Sequence, residues 1–347
     1  MRVLMIGGNG FIGPAVVERL LSSGHDVTLF HRGTKKVFPE LNHIIGDRRQ
    51  LAGYADVFRE LAPDVVLDLI LSNGRQAQDL MRTFKSIAHR VVALSSMDVY
   101  RACGVLHGLE PGPIEPVPLK EDAPLRTRLQ TYPPQAIQRL KSIFTWVDDE
   151  YDKIPVEQAV MSEPELPGTV LRLPFVYGPR DPLHRLFPII KRIDDGRRVI
   201  LLDEEAAQWR GPRGYVENVA VAIAAAVVDL RAANRIYNVA EPRPFTELEW
   251  TQKVAQAAGW SGVIKVVPAE RSPAHLKLPG NTKQHWIADT SRIRTELGYS
   301  ETVPLEQALR TTITWQRANP PREIDPKQFD YGAEDACLSP AREMRLV

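Results

Sequence analysis

Val3-Leu4-Met5-Ile6-Gly7-Gly8-Asn9-Gly10-Phe11-Ile12-Gly13 opens the chain, followed by an apolar-periodic run to Leu21, then Gly24-His25-Asp26 and Val27-Thr28-Leu29-Phe30. Four successive apolar residues suit a strand buried on both faces. Glycines then punctuate the chain, a helical period follows, and a second apolar strand comes after another turn. The order strand, glycine turn, helix, turn, strand is the context a glycine triplet needs before it signals a dinucleotide site. Gly7 lets the chain turn sharply off the strand. Gly10 leaves bare backbone for a pyrophosphate, and Gly13 lets the helix lie close to the sheet. Phe11 and Ile12 lead into the helix N-terminus, whose free N–H groups and positive dipole end suit phosphates.

The bulk numbers narrow the field. At 347 residues the chain can bury a large core and form one two-lobed unit or two domains. A net charge of +1 gives no strong field toward nucleic acid, a membrane surface or an acidic partner. The only cysteines, Cys103 and Cys337, form no metal or redox pattern, so no metal is expected and a reducing cytoplasm suits the chain. No apolar run approaches the roughly 20 residues of a membrane span.

The glycine spacing is G-x-x-G-x-x-G, and with Gly10-Phe11-Ile12-Gly13 it resembles the extended type of the short-chain dehydrogenase/reductase superfamily, the NAD-dependent epimerase/dehydratase-like group. The resemblance implies an α/β fold. Its core would be a Rossmann-type doubly wound parallel sheet, with a smaller α/β substrate lobe built from C-terminal segments. The expected division is a dinucleotide-binding domain over 1–175 with 213–240 returning to it, a substrate lobe over 176–212 and 241–330, and a tail over 331–347.

The end of the second strand selects the cofactor. An NAD site usually places an acid there, roughly 20 residues past the glycines, to bond the ribose 2′-hydroxyl. This chain has His31-Arg32-Gly33-Thr34-Lys35-Lys36 instead. Without a carboxylate and with cations nearby, His31 and Arg32 favour the 2′-phosphate of NADP, with NAD as the alternative. Lys35 and Lys36 are otherwise a solvated loop. At Gly46-Asp47-Arg48 the resemblance brings Asp47 to the adenine amino group, and Arg48 suits stacking on the adenine face. By local chemistry alone Asp47 is a turn or cap residue.

Two buried strands follow. Pro63 to Leu71 is near-continuously apolar, and the resemblance runs the cofactor past its end, at Leu69. Ile70 and Leu71 are bulkier than the family pattern. Arg90 to Tyr100 runs a buried strand into Ser95 and Ser96, and open α/β sheets bind ligands outside such strand ends. The resemblance makes Ser96 the catalytic hydroxyl that bonds a substrate oxygen. Strand-end capping is the plain alternative. Sugar 4,6-dehydratases carry Asp-Glu next, whereas this chain has Met97-Asp98. The proline-rich stretch 104–134 predicts a loop rather than a regular helix, of the kind that forms lids. Arg126 and Arg128 within it suit an anionic substrate, or are surface charges.

Active members of the superfamily carry Tyr-x-x-x-Lys on one helical face. Here the sequence is Asp149-Glu150-Tyr151-Asp152-Lys153-Ile154-Pro155-Val156-Glu157. If Tyr151 is the family tyrosine, its partner is Pro155. If Lys153 is the family lysine, Glu157 also falls in register and the tyrosine position holds Asp149. The second register keeps two residues in place and is preferred. Tyr151 then lies about 200 degrees around a regular helix from Lys153. Because Pro155 forces a helix start or kink nearby, Tyr151 has a route to the site from an irregular turn. Lys153 would hold the nicotinamide ribose. Tyr151, Asp149 and Asp98 compete as proton donor. By local chemistry alone Lys153 pairs with Asp149 or Glu157.

Leu171 to Arg180 resembles the family strand whose end, at Pro174, meets the nicotinamide before the chain enters the second lobe. Arg213, then Arg210, are the candidates to touch substrate phosphates. Thr246 is expected to cap a helix. The implied activity is oxidation, epimerisation or dehydration of a small polar carbonyl compound or nucleotide sugar. A non-catalytic cofactor sensor, or an RNA-associated relative like the chloroplast stem-loop-binding proteins, is the second reading. A homodimer through a helix pair rests on analogy with the superfamily.

Overall fold

β1 (Arg2–Ile6) leads through α1 (Gly13–Ser22) to β2 (Asp26–His31) and β3 (Asn42–Ile45). α2 (Ala55–Leu61), β4 (Val65–Asp68), α3 (Gly74–Phe84) and β5 (Arg90–Ser96) follow, then α4 (Arg101–Leu106), α5 (Pro134–Ile143), α6 (Lys153–Met161) and β6 (Gly168–Leu173). The chain leaves through β7 (Phe175–Tyr177), α7 (Phe187–Asp194), β8 (Val199–Asp203), α8 (Glu204–Gln208) and β9 (Arg213–Tyr215). It returns through α9 (Val216–Val228) and β10 (Arg235–Asn238). α10 (Glu247–Ala257), β11 (Val263–Val267), α11 (Ser291–Leu297), α12 (Leu305–Ala318) and α13 (Tyr331–Leu338) complete it. The computed structural model describes residues 1–33 and 37–338.

Seven parallel strands form the central sheet in the order β10-β6-β5-β4-β1-β2-β3. This is the doubly wound α/β architecture expected from the sequence. β1 shows why the strands read as unbroken apolar runs. Val3 and Met5 face a core shared with α1 and α9, while Leu4 and Ile6 face a second core holding Phe58, Leu80 and Phe84. Successive side chains point to opposite faces, and helices cover both. The alanine-rich α9 lies on α1, with Ala220, Ala222, Ile223 and Ala226 buried.

Several details differ from the sequence reading or sharpen it. The strand over 63–71 is shorter, because the ladder ends at Asp68 and the chain turns at Leu69. The proline-rich stretch is irregular from 107 to 133, as expected. α5 starts with Pro134 in its first turn, where a missing N–H costs nothing. The segment expected as a tail carries α13, held by Glu334, which is fully buried against Arg192 at 2.6 Å. Thr246 caps α10 in a capping box with Glu249. In the second lobe β8 pairs with β11, and β7 with β9. Among the described residues no helix is long and apolar enough to cross a membrane, and no cluster of His, Cys, Asp or Glu is arranged to hold a metal.

Candidate functional site

The glycine turn sits over the C-terminal end of β1. Gly7 (φ 103°) and Gly8 (φ 93°) take backbone angles that side chains resist. A Cβ on Gly10 would meet nothing within 4 Å, so bare backbone faces open space there. A Cβ on Gly13 would stand 2.2 Å from the Gly8 carbonyl oxygen. The close approach at Gly13 is therefore to the turn itself, not to the sheet as expected. The first turn of α1 holds no acid and no side-chain cap, which leaves its N–H groups available.

At the end of β2, His31 Nδ1 accepts the Gly33 N–H at 2.9 Å. Its proton must then sit on Nε2, which lies 2.7 Å from His43 Nδ1, and His43 Nε2 faces the Phe38 carbonyl at 2.9 Å. Burial, then the neighbouring His43, lowers the His31 pKa. Arg32 donates to Thr145 Oγ1 at 2.8 Å, across from the segment that follows α5. Lys35 and Lys36 lie outside the described residues. Asp47 caps the short turn at Arg48–Tyr54, and the hydrogen-bonded Arg49 guanidinium holds its carboxyl down at about 2. Arg48 is buried, with its guanidinium 2.7 Å from Asp68, itself fully buried at the end of β4. The Arg48 guanidinium, expected to stack on adenine, is thus held in place through its edge by an ion pair.

α6 begins at Lys153 because Asp152 caps it, accepting the Ile154 N–H at 2.9 Å, and Pro155 sits in its first turn. Tyr151 therefore lies before the helix, in a turn anchored by Asp148. That carboxylate accepts from Ser72, Asn73 and Gln76 at 2.6–2.9 Å. Lys153 points its ammonium at the carbonyl oxygens of Leu71 and, at 3.1 Å, Leu94, between two strand ends. Trp146 and Tyr151 lay their rings 5.0 and 5.6 Å from it. Burial brings its pKa down to about 8, against the pull of Asp98 and Asp68. Neither ion pair suggested by local chemistry forms: Asp149 pairs with Lys141 at 2.8 Å and Glu157 with Arg172 at 2.7 Å.

The two hydroxyls after β5 divide. Ser95 donates to Glu157 at 2.5 Å, inside a buried network where Arg172 stacks on Tyr100 at 4.7 Å. Ser96 accepts the Asp98 N–H at 3.2 Å and also faces the cavity, so it caps the strand end and remains in reach of a ligand. Asp98 is buried. Its Oδ2 accepts from Tyr132 at 2.8 Å, and its Oδ1 is buried with no partner. Burial raises its pKa, opposed by Tyr132 and Arg126. Arg126 is neither surface charge nor free anion hook, because it is buried against Asp152 at 3.2 Å. Tyr132 was not legible in the sequence. It sits beside Pro133 in a stretch without periodicity, and only the fold brings it to Asp98.

Ser95, Ser96, Asp98 and Tyr132 line one cavity of about 590 Å³. Phe11, Ile12, Leu69, Ser96, Lys153, Tyr151 and Pro174 all border it, joining residues far apart in sequence. The second lobe closes it with Phe175, Trp209 and Trp286, packed edge to face or tilted. The Trp286 Nε1 donor is buried there without a partner. Arg213 and Arg210 do not present free charges to this cavity. Arg213 pairs with Glu247 and stacks on Trp250 at 4.6 Å, while Arg210 lies 3.3 Å from Glu249.

A profile of the NAD dependent epimerase/dehydratase family matches residues 3–108 and 153–240, more than half of the chain. The chain belongs to that family. This member is also similar to the chloroplast stem-loop binding protein of 41 kDa b from Arabidopsis thaliana, 21% identical over 97% of this chain and 84% of the relative. It is 24% identical to the 2'-dehydrokanamycin reductase of Streptomyces kanamyceticus, over 84% of this chain and 75% of the relative. Among solved structures it superposes on the dTDP-glucose 4,6-dehydratase of Bacillus anthracis in complex with NAD, with a TM-score of 0.65. That match is 16% identical and covers 92% of this chain and 97% of the other, which shows the shared fold. The match to the family profile skips residues 109–152, the stretch that holds Tyr132, Trp146 and Tyr151.

Proposed function

We propose that this family member is an NAD(P)-dependent oxidoreductase, epimerase or dehydratase for a small polar carbonyl compound or nucleotide sugar. The observation that carries the reading is one cavity bordered at once by Phe11 and Ile12 of the glycine turn, Ser96, Lys153 and Pro174. The site fits a dinucleotide: bare backbone at Gly10, an uncapped helix start and a buried ammonium between strand ends are the features its phosphates and ribose require. When bound, the nicotinamide supplies or accepts hydride. Gly7, Gly10, Phe11, Ile12 and Gly13 cradle the diphosphate, and Leu69 and Pro174 flank the rings. Lys153 holds ribose hydroxyls and Ser96 bonds the substrate oxygen. With His31 and Arg32 where an acid would bond a 2′-hydroxyl, NADP is the preferred cofactor and NAD the alternative. Asp47 and Arg48 border the adenine end.

The test is nicotinamide absorbance on adding UDP-glucose, UDP-glucuronic acid, dTDP-glucose and simple ketones to the protein with cofactor. The expected result is a change with at least one substrate, lost in Ser96→Ala. No change across the panel contradicts the reading. One observation favours a second reading, a non-catalytic RNA-associated protein: the relative matched over 97% of this chain is named for stem-loop binding. Retention of an RNA hairpin that weakens steeply with salt, without cofactor turnover, would support it.

A further inference from the structure

We propose that Tyr132, on the irregular loop before α5, is the acid that protonates the substrate oxygen, with Asp98 behind it as its proton source. This rests on the oxidoreductase reading above, and deepens it by naming the group that reading lacks.

The position four residues before Lys153 is Asp149, whose exposed carboxylate turns away to Lys141 at 2.8 Å. The proton must therefore come from another group in the cavity wall. Ser96 is a weak acid already used as a cap. Tyr151 is buried to 8% exposure and stacks edge to face with Tyr132, centroids 5.7 Å apart. It turns its ring toward the Lys153 ammonium. Tyr151 also faces Asp98, but Tyr132 is the less buried ring, borders the cavity, and donates to Asp98 Oδ2 at 2.8 Å.

The environment fits a donor rather than a base. Burial holds the Tyr132 phenol well above its ordinary pKa, so it stays protonated. Burial also favours the neutral acid at Asp98. The bare Oδ1 points the same way, because a buried carboxylate with an unpaired oxygen is costly and a neutral carboxyl much less so. The charged groups facing Asp98 are Arg126, Lys153 and Asp152, and the titratable side chains of Tyr151, Cys103 and His107 face it as well. The first two stabilise the carboxylate left after proton release.

Reduction of a carbonyl needs one proton on oxygen for each hydride on carbon. In the neutral acid the Asp98 proton sits on Oδ2 and is donated to the Tyr132 oxygen, which turns the phenol proton to the substrate; the Tyr132 O–H bond breaks as that proton moves to the substrate oxygen, and the Asp98 Oδ2 proton moves to the Tyr132 oxygen. Asp98 is left ionised, and solvent returns its proton after product leaves. Oxidation of an alcohol runs the same transfers backwards, starting from ionised Asp98.

Two measurements test this. On whichever of UDP-glucose, UDP-glucuronic acid and dTDP-glucose the protein turns over, Tyr132→Phe should lower kcat by about 10²–10⁴-fold, as loss of a general acid does. NADPH affinity should be unchanged. A Tyr132→Phe protein that keeps its kcat overturns the proposal. The second measurement needs no substrate: the carboxyl of Asp98 is titrated by NMR in ¹³C-aspartate-labelled protein. Tyr132 donates to the carboxylate, so Tyr132→Phe should move the midpoint upward. An unmoved midpoint in Tyr132→Phe overturns the pairing. Absence of wild-type turnover on the whole panel counts against the proposed function, and the titration still decides this inference.

Discussion

At the scale of single residues, the site is set by what each group is denied. Gly13 is denied a Cβ because the Gly8 carbonyl oxygen occupies that place at 2.2 Å. Gly13→Ala should cost about 1–3 kcal/mol, the usual penalty of overpacking, and should weaken cofactor binding more than it lowers the urea midpoint. Lys153 is denied water, and its folded pKa of about 8 lies below the ordinary 10.5. Its ammonium is present below that value and is lost as pH rises through it. NADPH affinity should therefore hold below about pH 8 and fall above it, and Lys153→Met should flatten the profile; equilibrium titrations across pH check this. The glycines and Lys153 were legible because backbone freedom and a register with Glu157 leave marks in the sequence. Tyr132 and Trp146 left none. Nothing in a proline-rich stretch says which aromatic will turn inward.

At the scale of elements, strand ends and helix starts do the positioning. α6 cannot begin before Lys153, since Asp152 caps it and Pro155 occupies its first turn. That start leaves Tyr151 in the turn before the helix, two residues ahead of Lys153. The sequence showed the obstacle, while the anchoring of Asp148 on Ser72, Asn73 and Gln76 depended on tertiary contacts. Further along α6, Glu157 forms a buried pair with Arg172 from β6 and also accepts from Ser95. Removing one partner strands the other charge in the core. Glu157→Ala should lower stability by about 3–5 kcal/mol in urea unfolding, and Glu157→Leu with Arg172→Met together should recover much of it. The sequence register made Glu157 a marker of the lysine, while nothing in the sequence of β6 paired its Arg172 with that carboxylate. Arg126, Arg210 and Arg213 teach the same point. Charge in a sequence does not say whether the fold leaves it free, and here each is tied to a carboxylate or carbonyl.

At the scale of the whole molecule, the turn after β1 supplies Phe11 and Ile12, the end of β5 supplies Ser96, the start of α6 supplies Lys153, and the second lobe supplies the aromatic wall of Phe175, Trp209 and Trp286. α13 fastens to that lobe through Glu334, Arg192 and His275. Arg192→Met leaves the Glu334 carboxylate without its main partner and should destabilise by about 3–5 kcal/mol. Cofactor affinity of the folded protein should change little, because α13 lies away from the glycine turn; thermal unfolding with and without NADPH separates the two effects. The parallel sheet was legible from apolar runs alternating with helical periods. The helix at 331–338 was not, because its docking depends on one buried charge pair rather than an apolar stripe. The central claim is that the glycine turn and Lys153 together seat a nicotinamide dinucleotide. The direct measurement is titration of the intact protein with NADPH and with NADH, followed by nicotinamide fluorescence. Saturable binding at one site per chain, tighter for NADPH and lost in Gly13→Val while the protein stays folded, is the result this account predicts. Retention of neither nucleotide by the folded wild-type protein would contradict it.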